Sequence, residues 1–509
     1  MAGRQRGAAQ CRARGRVALI GLLAAVAGCA SVMPAPAPVR VRCANAVQAT
    51  LEWSATSPRG TFHVWRDGRL LAKVNATTYT DASVLPARRY DYQVSRAQSW
   101  WHEVRSGALS VTTPDAAPHG DPPYCPSRRI HSLRWRWDEG SNQAPGSDLW
   151  SVTWGADGLV YAFFGDGGGF GGTDTLGRTS FGIARLSGPS PLIGINIYGG
   201  YQGLFPAALS GKASSIAAIG ADFYALGGIY RAGERSSGSA PGRSGSPDRV
   251  ELAYSLGDSH SWHVASWYFC RSHSAGGAGS AGAFCPQFFV AYGPGNMGAP
   301  GGYVYVVGSA NSEVFWHDVP AAGPAHSYLA RVRPRELLRQ GAYDYFAGLD
   351  GRGQPRWSRH ISSMRPIFSD GNPDRAGCGG VCAMASGLAD AAYVPELHAY
   401  IAVAQGRYAA QTSVYEAAEL WGPWSLVAYD NLDPGSGEGG WAGLGLAGGD
   451  ALGVNLVNAW TRADGRHLWV TYSSNGVAPA QAAFPPPGTI MDSFNAVGFD
   501  LLPTGKEAE

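Results

Sequence analysis

The strongest constraint on this 509-residue chain is a two-strand phrase that recurs five times. Each copy is an apolar run, a polar turn and an aromatic-rich run: SVTWGADGLVYAFFG, SSIAAIGADFYALGGIY, FFVAYGPGNMGAPGGYVYVVG, LADAAYVPELHAYIAVA and LVNAWTRADGRHLWVTY. At least one further strand-like run follows each: FGIARL, SWHVASWYF, SYLARVR, WSLVAY and FNAVGF. A unit that cannot bury its apolar face alone must stack on its neighbours. Spread over residues 148–502, the copies leave about 70 residues each, room for a four-stranded blade with generous loops. The expected architecture is a five-bladed β-propeller; a β-sandwich lectin would leave five similar phrases unexplained. Composition agrees with an all-β exported chain, since only 15% of residues are charged while Gly numbers 71 and Trp 17. RPRELLRQG at 333–341 reads as a short helix inside a loop.

Ahead of the propeller, residues 41–114 read as seven short strands separated by turn signals, including a hairpin turning at Asp67-Gly68. Trp53 sits at a strand-B core position and Tyr90, after Leu85-Pro86, at a tyrosine-corner position, so the segment resembles a fibronectin type III β-sandwich. Residues 115–147, Pro- and Gly-rich at the start, read as the linker. Residues 1–16 are basic and Val17 to Gly28 is apolar, the pattern of a signal peptide in 1–28. Val26-Ala27-Gly28-Cys29 resembles the bacterial lipobox, which makes Cys29 the expected lipidation site and residues 29–40 a Pro/Ala tether. The expectation is an exported lipoprotein of the cell envelope, held at the outer membrane or cell surface by its lipid and monomeric.

The formal net charge is +2, and five arginines with no acid in residues 1–28 carry it. Without them the balance turns acidic, which removes any electrostatic reason to expect a nucleic-acid partner. With Cys11 in the signal and Cys29 lipidated, six cysteines remain. Cys270 with Cys285 and Cys378 with Cys382 are near neighbours in sequence, leaving Cys43 with Cys125, and three disulfides suit an oxidising compartment. Their spacing does not suit zinc, and no metal or other cofactor is expected.

The open ends of the five inner hairpins locate the expected chemistry. Only the first offers two acids, Asp148 before its first strand and Asp166 after its second. Folding at Gly155-Ala156-Asp157-Gly158 brings them nearly opposite, and directly paired positions have Cβ atoms about 4.5–5.5 Å apart. Two carboxylates on one rim are what a glycosidase needs. The other open ends offer Lys212 and Arg231, Asn311, Arg407 and Asn475, cationic and amide groups suited to sugar hydroxyls. Trp150, near the rim, is a candidate for stacking on a sugar. Asp157, Asp222 and Asp464 fall in closed turns and read as turn residues. The run Gly165-Asp166-Gly167-Gly168-Gly169 is no phosphate loop, because no Gly-Lys-Ser/Thr follows.

Asp148-Leu149 followed by Phe164-Gly165-Asp166-Gly167 resembles the signature of the DUF4185 domain, some members of which are endo-D-arabinanases of glycoside hydrolase family 183. The resemblance spans roughly residues 145–502, with its specific motif confined to the first blade. It implies a five-bladed propeller whose catalytic carboxylates are Asp148 and Asp166. Gly167 stands where a Thr often follows the Asp, and Trp150 where a Gly often follows Asp-Leu. The reading from sequence is thus a lipid-anchored glycoside hydrolase acting on arabinan or a related furanose-containing polysaccharide. Its rival is a non-catalytic, glycan-binding surface propeller.

Overall fold

The computed structural model describes residues 38–45, 48–55, 60–81, 83–99, 102–114, 124–231, 249–271, 283–310, 326–369, 387–405, 411–431, 447–477 and 490–504. The described chain is all-β: an N-terminal fibronectin III-like β-sandwich followed by a five-bladed β-propeller. In the sandwich, Arg40–Ala44, Ala49–Glu52 and Thr78–Asp81 form one sheet. Phe62–Arg66, Arg69–Val74, Arg89–Ser99, His102–Arg105 and Leu109–Thr112 form the other. Alternation along the strands puts Phe62 and Val64, then Tyr90, Tyr92 and Val94, into a core with Leu51 and Trp53. The expected hairpin turn is present, with φ 51° at Asp67 and 76° at Gly68, the two positive values that a two-residue type I′ turn requires. Tyr90 makes its corner, its hydroxyl accepting the N–H of Leu85 at 2.8 Å.

All five repeated phrases form inner hairpins of five successive sheets. The first blade runs Val152–Trp154, Val160–Phe164, Gly182–Ser187 and Ile193–Tyr198. The second runs Leu209–Ile219, Asp222–Arg231, Arg249–Ser255 and His263–Arg271. The third begins Phe284–Phe289 and Val304–Ala310, the fourth Leu388–Val394 and Ala399–Gln405. The fifth is Ala447–Leu456, His467–Val477 and Phe494–Pro503, and its outer strand is Ile130–Gln143, fetched from before the first blade. Residues 130–143 were expected to be linker; they close the ring by backbone pairing instead. Trp135 packs on Phe499, with ring centroids 5.3 Å apart. Asp500 accepts from Arg134 and from Nδ1 of the buried His467, at 3.0 and 2.7 Å. The 333–341 segment contains one short 3₁₀ turn, Pro334–Glu336, and runs into a second, Gln340–Ala342.

The link between the two units is tied down. Tyr124 is buried against Phe368 and Tyr415, and its hydroxyl accepts the N–H of Ser369. Next to it, Cys125 is disulfide-bonded to Cys43 of the sandwich, as expected. The Cys125 carbonyl accepts the N–H of Leu426 in the fourth blade. Cys270–Cys285, the second expected disulfide, joins the second blade to the third. Cys378 and Cys382 lie outside the described residues, as does Cys29.

Each seam between blades is closed by hydrogen bonds from inner-strand residues. Thr153 Oγ1 accepts the N–H of Ala218, Ser215 Oγ that of Phe289, Asp390 Oδ2 that of Leu456 and Ser473 Oγ that of Leu149. At the third seam the backbone does the work, with Ala291 N–H donating to Ala391 and its carbonyl accepting from Tyr393. Inner strands carry N–H groups that the next blade cannot pair in a continuous ladder, so short polar side chains satisfy them.

Asp390 is the one carboxylate in this set, and burial pushes it up to about 7 although the N–H groups of Leu456 and Ala391 oppose the shift. The folded state therefore holds a proton that the unfolded chain, with a carboxyl near about 3.9, releases. Stability should fall as pH rises from about 4 to about 7 and level off above, by up to about 4 kcal/mol from this group. Urea unfolding across that range should show a shallower slope for Asp390→Asn than for wild type; equal slopes would count against it.

Candidate active site

The site begins with a departure from regular hairpin pairing. From Val152 opposite Ala162 the ladder would continue to put Asp148 opposite Asp166. Instead Leu149 takes a left-handed conformation, φ 60°, and Asp148 exchanges both backbone hydrogen bonds with Gly165, each 2.9 Å. The direct pairing expected from sequence is thus displaced by one residue. Asp166 follows, also left-handed at φ 56°, which turns its side chain back beside that of Asp148. Aspartate tolerates this conformation; for leucine it is costly, and such strain, about 1–3 kcal/mol per residue, concentrates at functional sites.

The Gly-rich run after Asp166 is packed backbone on backbone. A Cβ on Gly168 would lie 2.0 Å from the carbonyl oxygen of Leu176, so only glycine fits there. The loop's N–H groups are spent internally: Gly168 on the Thr173 carbonyl, Gly169 on Ser147 Oγ and Phe170 on Asn196 Oδ1. Asn196, buried in the outer strand, also donates to the carbonyls of Gly168, Phe170 and Tyr201, and so fixes the loop that carries Asp166.

Lys212 of the second blade completes the centre. Its Nζ lies 2.9 Å from Asp148 Oδ2 and 2.6 Å from Asp166 Oδ2. Two oxygens touching one nitrogen at those distances are no farther apart than the roughly 5–5.5 Å of a retaining glycosidase pair. Arg178 lies beside Asp166, 3.6 Å from Oδ1, and donates to the carbonyls of Asp166 and Asp174. Asp148 is almost wholly enclosed, whereas the Asp166 side chain is 23% exposed. Burial raises the Asp148 pKa above the ordinary carboxylate value; Lys212 opposes this and Asp166 reinforces it. Burial works against the ammonium of Lys212, but Asp148 and Asp166 outweigh it and hold its pKa above that of a free lysine. The cluster can therefore keep one acid protonated beside another held against a cation. Among the described residues no group of three His, Cys, Asp or Glu is placed to hold a metal ion.

The other expected site residues fare differently. Trp150 is fully buried, stacked on Phe164 and edge-on to Phe170 and Phe494, with its indole N–H on the Ser147 carbonyl. It is core and cannot stack on a sugar, because the side chain points between blades one and five rather than over the rim. Arg231 donates to the carbonyl of Val264 at the end of its own blade. Asn311 and Arg407 lie outside the described residues; Asn475 is in a described strand, opposite Asp450. Asp157 and Asp464 hydrogen-bond within their turns, as expected: Asp157 accepts from Leu159 N–H and Tyr161 hydroxyl, Asp464 from Arg466 N–H; Asp222 instead accepts the N–H of Gly257, between the two outer strands of its blade. Two participants had no strong sequence signal: Arg178 hides in the loop after the Gly run and Asn196 in an ordinary strand.

No family model matches the sequence, and no curated protein matches it. Among solved structures, a GH43_1 enzyme from Xanthomonas citri is similar at 10% identity and a TM-score of 0.35, over 70% of this chain and 90% of that one. The fibronectin type III domain of human fibronectin type III domain containing protein 3 is similar at 17% identity and a TM-score of 0.16, over 19% of this chain and 99% of that domain. The family 28 exopolygalacturonase of Yersinia enterocolitica is similar at 16% identity and a TM-score of 0.15, over 16% of this chain and 20% of that one. The chain thus spans about a fifth of that enzyme's length. What makes it a sandwich followed by a five-bladed propeller is its own sheet order.

Proposed function

We propose that this chain is an exported glycoside hydrolase, lipid-anchored through Cys29, that cleaves arabinan or a related furanose-containing polysaccharide of a cell surface with Asp148 and Asp166. The observation that carries the reading is the pair of carboxylates brought to the open end of one hairpin and held against Lys212. Asp148, enclosed and holding its proton above the ordinary range, donates that proton to the leaving oxygen. Asp166, the more exposed, attacks the anomeric carbon as the glycosidic bond breaks, forming a glycosyl ester. Water then attacks the same carbon, Asp148 takes its proton, and the ester bond to Asp166 breaks. The chemistry needs no cofactor.

A glycan-binding propeller without turnover is the second reading. It draws on one observation: Lys212 already holds an oxygen of each carboxylate, as in a purely structural ion triad. Incubating the purified protein with D-arabinan, L-arabinan and other cell-wall polysaccharides separates the two. Hydrolysis predicts new reducing ends that disappear with Asp166→Asn; the binding reading predicts retention on a glycan column with no new ends from any of them.

A further inference from the structure

We infer that Asp492 is a third carboxyl of this centre, a positioning residue that keeps one proton within the Asp148–Asp492 pair and so sets the charge of Asp148. Its part in catalysis rests on the hydrolase reading; the shared proton does not.

Asp492 stands in the fifth blade, between Ile490–Met491 and Phe494–Pro503. Its carbonyl accepts the N–H of Gly146 at 2.7 Å, two residues before Asp148. That bond ties the fifth blade to the segment leading into the site. On the other face of the same segment, a Cβ on Gly167 would lie 2.3 Å from the Gly146 carbonyl oxygen. The chain around Gly146 is therefore held between the Asp492 backbone and the loop of Asp166.

Two oxygens are left over in this cluster. Asp148 Oδ1 and Asp492 Oδ1 are both buried with no hydrogen-bond partner among the described residues, and Asp148 is only 4% exposed. A buried carboxylate oxygen without a donor is expensive, and the usual resolution is to take up a proton. The charge count agrees. Asp148, Asp166, Lys212 and Arg178 all act electrostatically on Asp492, so three carboxyls meet two cations. Fully ionised, the cluster carries a net negative charge in an enclosed place; one proton makes it neutral. Burial first, then Asp148, pushes Asp492 up to about 7, with Asp166 adding to the shift and Lys212 and Arg178 opposing it. A pair coupled in this way gives up its protons in two macroscopic steps that belong to both acids.

The role differs from that of Asp148. Asp492 need not touch the sugar. While the pair holds its proton, Asp148 can stay a donor; when the pair ionises, that supply is lost.

The test is a carboxyl NMR titration of the full chain, labelled with ¹³C at the aspartate side-chain carboxyl and free of glycan. Asp148→Asn, Asp166→Asn and Asp492→Asn supply the assignments. In wild type, Asp148 and Asp492 should both titrate above the ordinary value of about 3.9, and each should report both steps. In Asp492→Asn, the Asp148 resonance should titrate lower than the upper step of wild type, while keeping the influence of Asp166. An unchanged Asp148 curve, or Asp492 titrating at an ordinary carboxyl value, would overturn the inference. Once a hydrolysed glycan is known, Asp492→Asn should move the alkaline limb of the rate profile to lower pH, and Asp492→Glu should restore it. A shifted titration with no hydrolysed glycan would remove the hydrolase reading and leave the shared proton standing; hydrolysis with an unshifted titration would do the reverse.

Discussion

Asp148→Asn should lose about 10²–10⁴-fold of turnover on a polysaccharide linkage, the usual contribution of a general acid. It should keep most of its rate in the first step on a furanoside whose leaving group is a nitrophenolate. Asp148 is asked to give a proton to a leaving sugar oxygen, and a phenolate of low pKa leaves without one. Asp166→Asn should behave differently, failing on both substrates, because no leaving group replaces a missing nucleophile. Added azide should restore release from the nitrophenyl furanoside in Asp166→Asn and yield a glycosyl azide. Equal losses on both substrates for Asp148→Asn would show that the enclosed acid is not the proton donor. The asymmetry follows from burial: the fully enclosed carboxyl has the raised pKa, and the one left partly exposed is free to meet a sugar.

Lys212→Met should be the most damaging single change to the stability of the ring. Its ammonium lies within 2.9 Å of one carboxylate and 2.6 Å of another, in a site where Asp148 is almost wholly enclosed. Breaking a buried ion pair by removing one partner typically costs about 3–5 kcal/mol, because the remaining charge is left without compensation. Here two acids lose their shared cation. The loss should be smaller near pH 5 than near pH 8, since acids that can take a proton no longer need the lysine. Urea unfolding at the two pH values measures this. A loss below about 1 kcal/mol at pH 8 would place Lys212 among ordinary surface pairs.

Much of this protein is written in its periodicities. The five phrases are inner hairpins because each alternates apolar and turn residues on the length scale of two strands, and stacking is then forced. The tyrosine corner and the Asp67-Gly68 turn were legible because each depends on one or two residues with a fixed local geometry. Features that depend on distant pairing were not. Ile130–Gln143 alternates Trp and Arg and lies before the first phrase, so nothing local says that its partner is Phe494–Pro503. The hairpin that brings Asp148 and Asp166 together could be read from Gly155 to Gly158, but the left-handed turn at Leu149 could not, since leucine carries no signal for it. Trp150 shows the same limit. Its neighbours in sequence are rim residues, yet its ring goes to the seam between blades one and five, where Phe494 waits. Asp492 becomes part of the centre only when the fifth blade meets the first, a contact across almost the whole length of the propeller.

Asp166 is the proposed nucleophile, the residue that would form the bond to the sugar. Peptide mapping of the intact chain after reaction with an activated 2-deoxy-2-fluoro furanoside tests that role most directly, because the fluorine slows breakdown of a glycosyl ester. One glycosyl mass is expected, on the peptide carrying Asp166, and none in Asp166→Asn. A glycosyl mass on a different residue, or full turnover of a natural glycan by Asp166→Asn, would contradict that role.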